Sequence, residues 1–280
     1  DAVQSTAASQ PLLLAHNGAS SDNYWWGSGV VSNYVSTPNA VANQITGDIE
    51  IIVNCSKDNW TASAFNGLIS KDVATRGYIF YIDATNNLAL NVNVGGSLTG
   101  QNSSVALSGA NQSNKWLRVT RSASTGNINY YTSLDPISTN PQSVTWTQLG
   151  TANRTSTAGS IVAGTARVDI GAFGTGDYVI QGRIYRATIS NSIGGTPVVD
   201  FNPATYNAST SQTQWTSATG EIWTISTGTA AVGYKGVLVD RVIVQSDGVD
   251  DYLDNPTFLR NSLMTQYLGY SAQAVSSGAQ

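Results

Sequence analysis

Lys115-Trp-Leu-Arg-Val-Thr-Arg121, then Ser-Ala-Ser-Thr-Gly126, then Asn127-Ile-Asn-Tyr-Tyr-Thr132 reads as a strand, a small polar turn and a second strand. Leu117 and Val119 alternate with Arg118 and Thr120, a period of two that gathers apolar side chains on one face of a strand. Val168-Asp-Ile-Gly-Ala-Phe173, a glycine-containing turn, and Tyr178-Val-Ile-Gln-Gly-Arg-Ile-Tyr-Arg-Ala-Thr-Ile189 repeat the arrangement. In that second pair Tyr185, Ala187 and Ile189 alternate with Arg186 and Thr188. Leu88, Leu90, Val92 and Val94 form another alternating run. Between such runs stand Asn86-Asn87, Gly95-Gly96, Asp135-Pro136 and Gly194-Gly195, residues that favour tight turns. Helical periodicity is nearly absent. Many short strands with turn chemistry between them predict an all-β, antiparallel two-sheet sandwich.

The composition narrows the function. The chain has 280 residues and is 41% hydrophobic, enough for one large sandwich core. Charged residues are only 11%, against roughly 25% in an average soluble protein. Ser, Thr, Asn, Gly and Gln take their place, as suits an extracellular or particle-exposed β-protein. A formal charge of −4 offers no electrostatic footprint for nucleic acid or anionic lipid. A single cysteine excludes an intrachain disulfide framework, and Cys55, inside the strand-like Asp48–Cys55, is expected to be a buried thiol. No run approaches the ~18 apolar residues of a membrane helix, so no membrane insertion is expected. Met264 is the only methionine, which points to a processed product or a segment of something longer.

The order of the two strand pairs resembles the second half of a laminin-G-like, concanavalin A-like jelly roll. In that family a Trp opens a strand like Trp116–Arg121, and a later pair like Ile170-Gly-Ala172 and Gly182-Arg-Ile184 closes the sandwich. The resemblance covers residues 16–228 and implies a jelly roll there. Residues 1–15 then form an extended lead, and 229–280 a C-terminal arm or the start of an incomplete second module, since Asp247-Gly-Val-Asp-Asp-Tyr-Leu253 resembles the opening of another such module. A second resemblance is to tailed-phage virion proteins. It rests on the lead Gln4–Pro11, on Pro197–Tyr206 and on Trp215–Thr224. It implies a virion structural protein: a head fibre, capsid decoration or tail-fibre subunit, on the exposed surface or an appendage of the particle. If cellular, the chain is expected to be extracellular.

A jelly roll hosts lectins, glycosidases and structural modules alike, so the residues must decide. Sugar binding uses exposed aromatic faces framed by polar groups, and Asp22, Trp25, Trp26 and Trp60 have that composition. Two adjacent tryptophans on a strand point to opposite faces, so one of Trp25 and Trp26 belongs to the core. Trp116, Trp146 and Trp223 are expected in the core. Asp48 and Glu50, about 6–7 Å apart on one strand face, are the best pair for glycoside hydrolysis. They lack the Glu-x-Asp-x-x-Glu cluster of laminarinase-type enzymes. His16, the sole histidine, has no nucleophile-elbow partner. Hard oxygen ligands for calcium are abundant, yet Asp22, Asp72 and Asp247–Asp251 lack the spacing of a calcium loop, so no metal or cofactor is expected.

The sequence thus predicts a non-enzymatic virion structural protein that contacts host-surface polysaccharide, with no catalytic residues. A carbohydrate-binding module or secreted adhesin is the alternative, and a glycan hydrolase using Asp48 and Glu50 the third. The expected partners are other virion proteins and further copies of the chain. Leu238, Val242, Val244, Phe258, Leu259, Leu263 and Leu268 form the expected assembly arm, because seven large apolar side chains left in water forgo roughly 1.5–3 kcal/mol each.

Overall fold

The computed structural model describes residues 23–73, 75–203, 213–226 and 232–234. All of them lie in one compact unit, residues 19–236. The strands in chain order are β1 (Asn23–Ser28), β2 (Val35–Thr37), β3 (Ile49–Lys57), β4 (Asn66–Ser70), β5 (Tyr78–Ile82) and β6 (Asn87–Val94). There follow β7 (Ser97–Ala106), β8 (Asn114–Arg121), β9 (Asn127–Ser133), β10 (Thr147–Gln148), β11 (Arg154–Thr155) and β12 (Val168–Ile170). The last are β13 (Gln181–Ser190), β14 (Pro197–Phe201), β15 (Gln214–Thr216), β16 (Ile222–Ile225) and β17 (Val232–Tyr234). No α-helix occurs among the described residues.

Two antiparallel sheets form the sandwich. The first runs β10-β9-β8-β3-β13-β1-β17, with β11 added to β9 and β14 to β13. The second runs β15-β16-β2-β12-β4-β5-β6-β7. Neighbours in the sheets are often far apart in sequence, as in β3 with β13 or β2 with β12. The expected all-β two-sheet architecture is the one observed.

The inner faces follow the alternation. Ile49, Ile51, Val53 and Cys55 of β3, Leu117 and Val119 of β8, and Leu88, Leu90 and Val92 of β6 all enter one continuous core. Burial pushes the Cys55 thiol up to about 12, so at neutral pH it is a small apolar filler.

Two residues expected to point inward, Tyr185 and Trp146, lie elsewhere. In β13 the register against β3 shifts between Ile184 and Arg186. The bulge inserts Tyr185 as an extra residue and reverses the phase, so Ile184, not Tyr185, joins Ala187 and Ile189 in the core. Tyr185 instead meets Tyr24 edge-on at 5.6 Å, outside the core. Trp116 is core as expected, in a second small cluster with Ile52 and Val144 on the far side of the first sheet, where it pairs with Asn54. Trp146, half-buried, covers that cluster. Trp223 is core as expected.

Candidate functional site

Gly171-Ala-Phe-Gly-Thr-Gly-Asp-Tyr178, directly after β12, builds one wall of a groove on the outer face of the second sheet. Phe173 and Asp177 exchange both backbone hydrogen bonds, at 3.2 and 3.0 Å, closing a tight hairpin. Its tip needs left-handed backbone at Gly174 (φ +72°) and Gly176 (φ +98°), which glycine adopts without a Cβ penalty. The hairpin is tied to β4: Gly171 N–H donates to Leu68 O (2.9 Å), Gly67 N–H to Tyr178 O (2.7 Å) and Ser70 Oγ to Ala172 O (3.0 Å). Gly67 permits this approach, since a Cβ there would stand 2.5 Å from the Ala172 carbonyl carbon.

The result is a cluster of four rings drawn from three parts of the chain. Phe173 stacks on Tyr178 (4.4 Å between centroids, 15° between planes) and leans on Tyr81 of β5 at 5.2 Å. Phe65 closes the circuit edge-on to Tyr178 (5.4 Å) and tilted to Tyr81 (6.1 Å). Two of these rings face water, Phe65 being 42% and Tyr178 51% exposed. The cluster lines a cavity of about 210 Å³ together with Ile79, Asn91 and Leu98. A second cavity, about 430 Å³, shares Asp72 and Arg76 with the first and is otherwise bounded by small or polar residues, Asn93 and Thr175 among them.

Polar groups stand at fixed places along this groove. Asn91 Nδ2 donates to Tyr81 Oη (3.2 Å) beside Gly100, where a Cβ would lie 2.3 Å from the Asn91 side-chain oxygen. Asp72 Oδ2 accepts from Gly174 N–H (3.0 Å), which pins the hairpin tip to the end of β4. Arg76 Nε lies 2.8 Å from Asp72 Oδ1, but that oxygen receives no directed hydrogen bond, so the contact is an ion pair only. Burial raises the Asp72 carboxyl above its ordinary range, opposed by Arg76 and the Gly174 N–H. The preceding residue anchors this corner: Lys71 Nζ donates to Asn39 Oδ1 (2.7 Å), Asn43 Oδ1 (2.9 Å) and Ala166 O. That ammonium is wholly buried, and burial lowers it to about 8. Asp169 of β12 is also buried and pushed up to about 6, despite Arg167 Nε at 2.6 Å.

The sequence-derived sugar candidates do not meet here. Trp25 is fully buried in the core and Trp60 is fully buried beneath Lys115, its indole N–H donating to Ser113 O at 3.0 Å. Neither presents a ring face to a ligand, which corrects the expectation for both. Trp26 is half-buried, paired with Arg183 on the first sheet, and so on the other sheet from the groove. Asp22, His16, Asp247–Asp251 and the seven arm residues Leu238, Val242, Val244, Phe258, Leu259, Leu263 and Leu268 lie outside the described residues. Asp48 and Glu50 are not a free pair. Asp48 accepts the Ala123 N–H (2.7 Å), while Glu50 is held by Arg118 Nε (2.9 Å) and Gly194 N–H (3.1 Å). No group of three or more His, Cys, Asp or Glu gathers as a metal site among the described residues.

No protein-family model matches the chain, and no curated protein matches its sequence. Solved structures are similar to it over part of the chain, the following at TM-scores below 0.5. The likeness is one of fold alone. The CBM40 domain of a Ruminococcus gnavus IT-sialidase, bound to α2,3-sialyllactose, is 12% identical, with 62% of this chain and 94% of that one covered and a TM-score of 0.40. A putative carbohydrate-binding protein from Bacteroides ovatus is 11% identical over 76% of this chain and 59% of that one, at 0.49. Domains LG4-5 of the mouse laminin α1 chain are 9% identical over 70% and 50%, at 0.39.

Proposed function

We propose that this chain is a glycan-binding module, and that it grips a saccharide in the groove of the second sheet. The observation that carries this is the ring cluster. Other exposed apolar side chains, such as Val41 and Leu134, are aliphatic, whereas Phe65 and Tyr178 are aromatic rings that face water in contact beside a polar cavity. Sugar rings offer C–H faces that stack on such rings and hydroxyls that meet the polar groups alongside. Among the described residues the groove lining holds one carboxylate, Asp72, whereas the usual glycoside hydrolysis takes a pair. That supports binding without catalysis.

Calorimetric titration against soluble bacterial and plant polysaccharides tests the proposal. Stacking contributes on the order of 0.5–1.5 kcal/mol per ring. Phe65→Ala and Tyr178→Ala together are therefore expected to weaken binding about tenfold or more. Affinity unchanged in the double variant would remove the groove from consideration.

A second reading places such a module on a tailed-phage particle, as a head fibre, capsid decoration or tail-fibre subunit that reads the host surface. It is favoured by the lead Gln4–Pro11, the Pro197–Tyr206 and Trp215–Thr224 patterns and the restart at Asp247–Leu253. Mass spectrometry of purified virions is expected to find the chain, and its absence from them would refute this reading.

A further inference from the structure

The polar end of the groove contains two acceptors that receive no hydrogen bond from the described residues, one of them, Asp72 Oδ1, being ion-paired to Arg76 Nε at 2.8 Å. Asp72 Oδ1 and Asn93 Oδ1 are both buried and receive no hydrogen bond. Both residues line the larger cavity. The Asn93 amide is oriented by its own contact, Nδ2 donating to Arg76 O at 3.1 Å, so its oxygen is the atom left over. Native proteins seldom leave buried acceptors unpaired, because such a group loses its water without gaining a donor. What lies over Asp72 is the Arg76 guanidinium, itself 52% exposed. An ion pair with so exposed a partner is weakly held. A ligand hydroxyl can donate to Asp72 Oδ1 and to Asn93 Oδ1 while Arg76 stays paired with Asp72.

We infer that this end of the groove is a hydroxyl-reading subsite, in which Asp72 and Asn93 select a neutral saccharide carrying two adjacent hydroxyl donors over an acidic one. The inference rests on the glycan-binding reading and deepens it. The charge argument is direct. A sugar carboxylate would face the Asp72 carboxylate, and Arg76, the only cation lining either cavity among the described residues, is already engaged with that same group. Hydroxyls instead make a carboxylate oxygen that receives no hydrogen bond the acceptor of a charge-assisted one. Selectivity of this kind is steep, because a ligand without the donor leaves the buried acceptors as they were.

Matched polymer pairs test this on the whole chain. Polygalacturonate, polymannuronate and hyaluronan are titrated calorimetrically beside their carboxyl-reduced forms, which keep linkage and remove charge. The wild-type protein is expected to bind at least one reduced polymer, about tenfold or more tighter than its acidic parent. Asp72→Asn, which keeps the shape and removes the charge, is expected to lower that affinity about tenfold. Its melting curve, recorded alongside, separates lost binding from lost fold, and the wild-type preference needs no variant. An acidic parent bound as tightly as its reduced partner would overturn the inference while leaving the groove as a glycan site. Binding to none of the six polymers would overturn both.

Discussion

Gly171→Ala is expected to cost about 2–5 kcal/mol of stability, enough to threaten the fold at physiological temperature. Gly171 has φ +82°, a region that costs an L-residue roughly 1–2 kcal/mol. A Cβ there would lie 2.0 Å from Trp25 Cζ3 and 2.2 Å from Cη2. Trp25 is wholly buried, so its ring has nowhere cheap to go, and overpacking of this kind costs roughly 1–3 kcal/mol more. The damage reaches the site, because the same residue ties the Phe173–Asp177 hairpin to β4 through Leu68. Urea denaturation reads the change directly: a lower midpoint with an unchanged slope is the expected signature. An unaltered midpoint would mean that Trp25 does not fill the space under this turn.

Glu50→Ala is the second large effect, expected at about 3 kcal/mol. The Glu50 side chain is 2% exposed and bonded to Arg118 through both Nε and Nη2, with Gly194 N–H as a third donor. Removing one partner of a buried pair typically costs 3–5 kcal/mol, since the other charge is left stranded. Arg118 is 17% exposed and also lies over the rings of Tyr131 (4.9 Å) and Trp146 (5.6 Å), which keeps the figure near the lower limit. Folded Glu50→Ala protein should bind glycan as the wild type does, because the pair sits on the first sheet and the groove on the second. Loss of a sugar-releasing activity with stability intact would reinstate the hydrolase reading of Asp48 and Glu50.

The strands were legible because burial on one face imposes a period of two, and Leu117, Val119, Leu90 and Val92 keep it without interruption. Tyr185 was misplaced because a bulge changes the phase at one residue, and no composition rule marks where that happens. The tryptophans misled for a different reason. Sequence shows ring size, whereas access depends on what the other sheet brings over the ring, and Trp25 and Trp60 are both fully covered. Phe65, Tyr81, Phe173 and Tyr178 gave no signal, because their proximity follows from the pairing of β12 with β4 and of β4 with β5. The one local hint was glycine spacing: Gly171, Gly174 and Gly176 around Phe173 mark a hairpin tight enough to stack its own two aromatics.

Amide chemical-shift mapping of the uniformly labelled protein during titration with a polysaccharide that it binds tests the central claim most directly. The account predicts perturbations gathered at Phe65, Tyr81, Asn91, Phe173 and Tyr178, extending to Asp72 and Asn93. Perturbations gathered instead at Tyr24, Trp26 and Arg183 on the first sheet would contradict it.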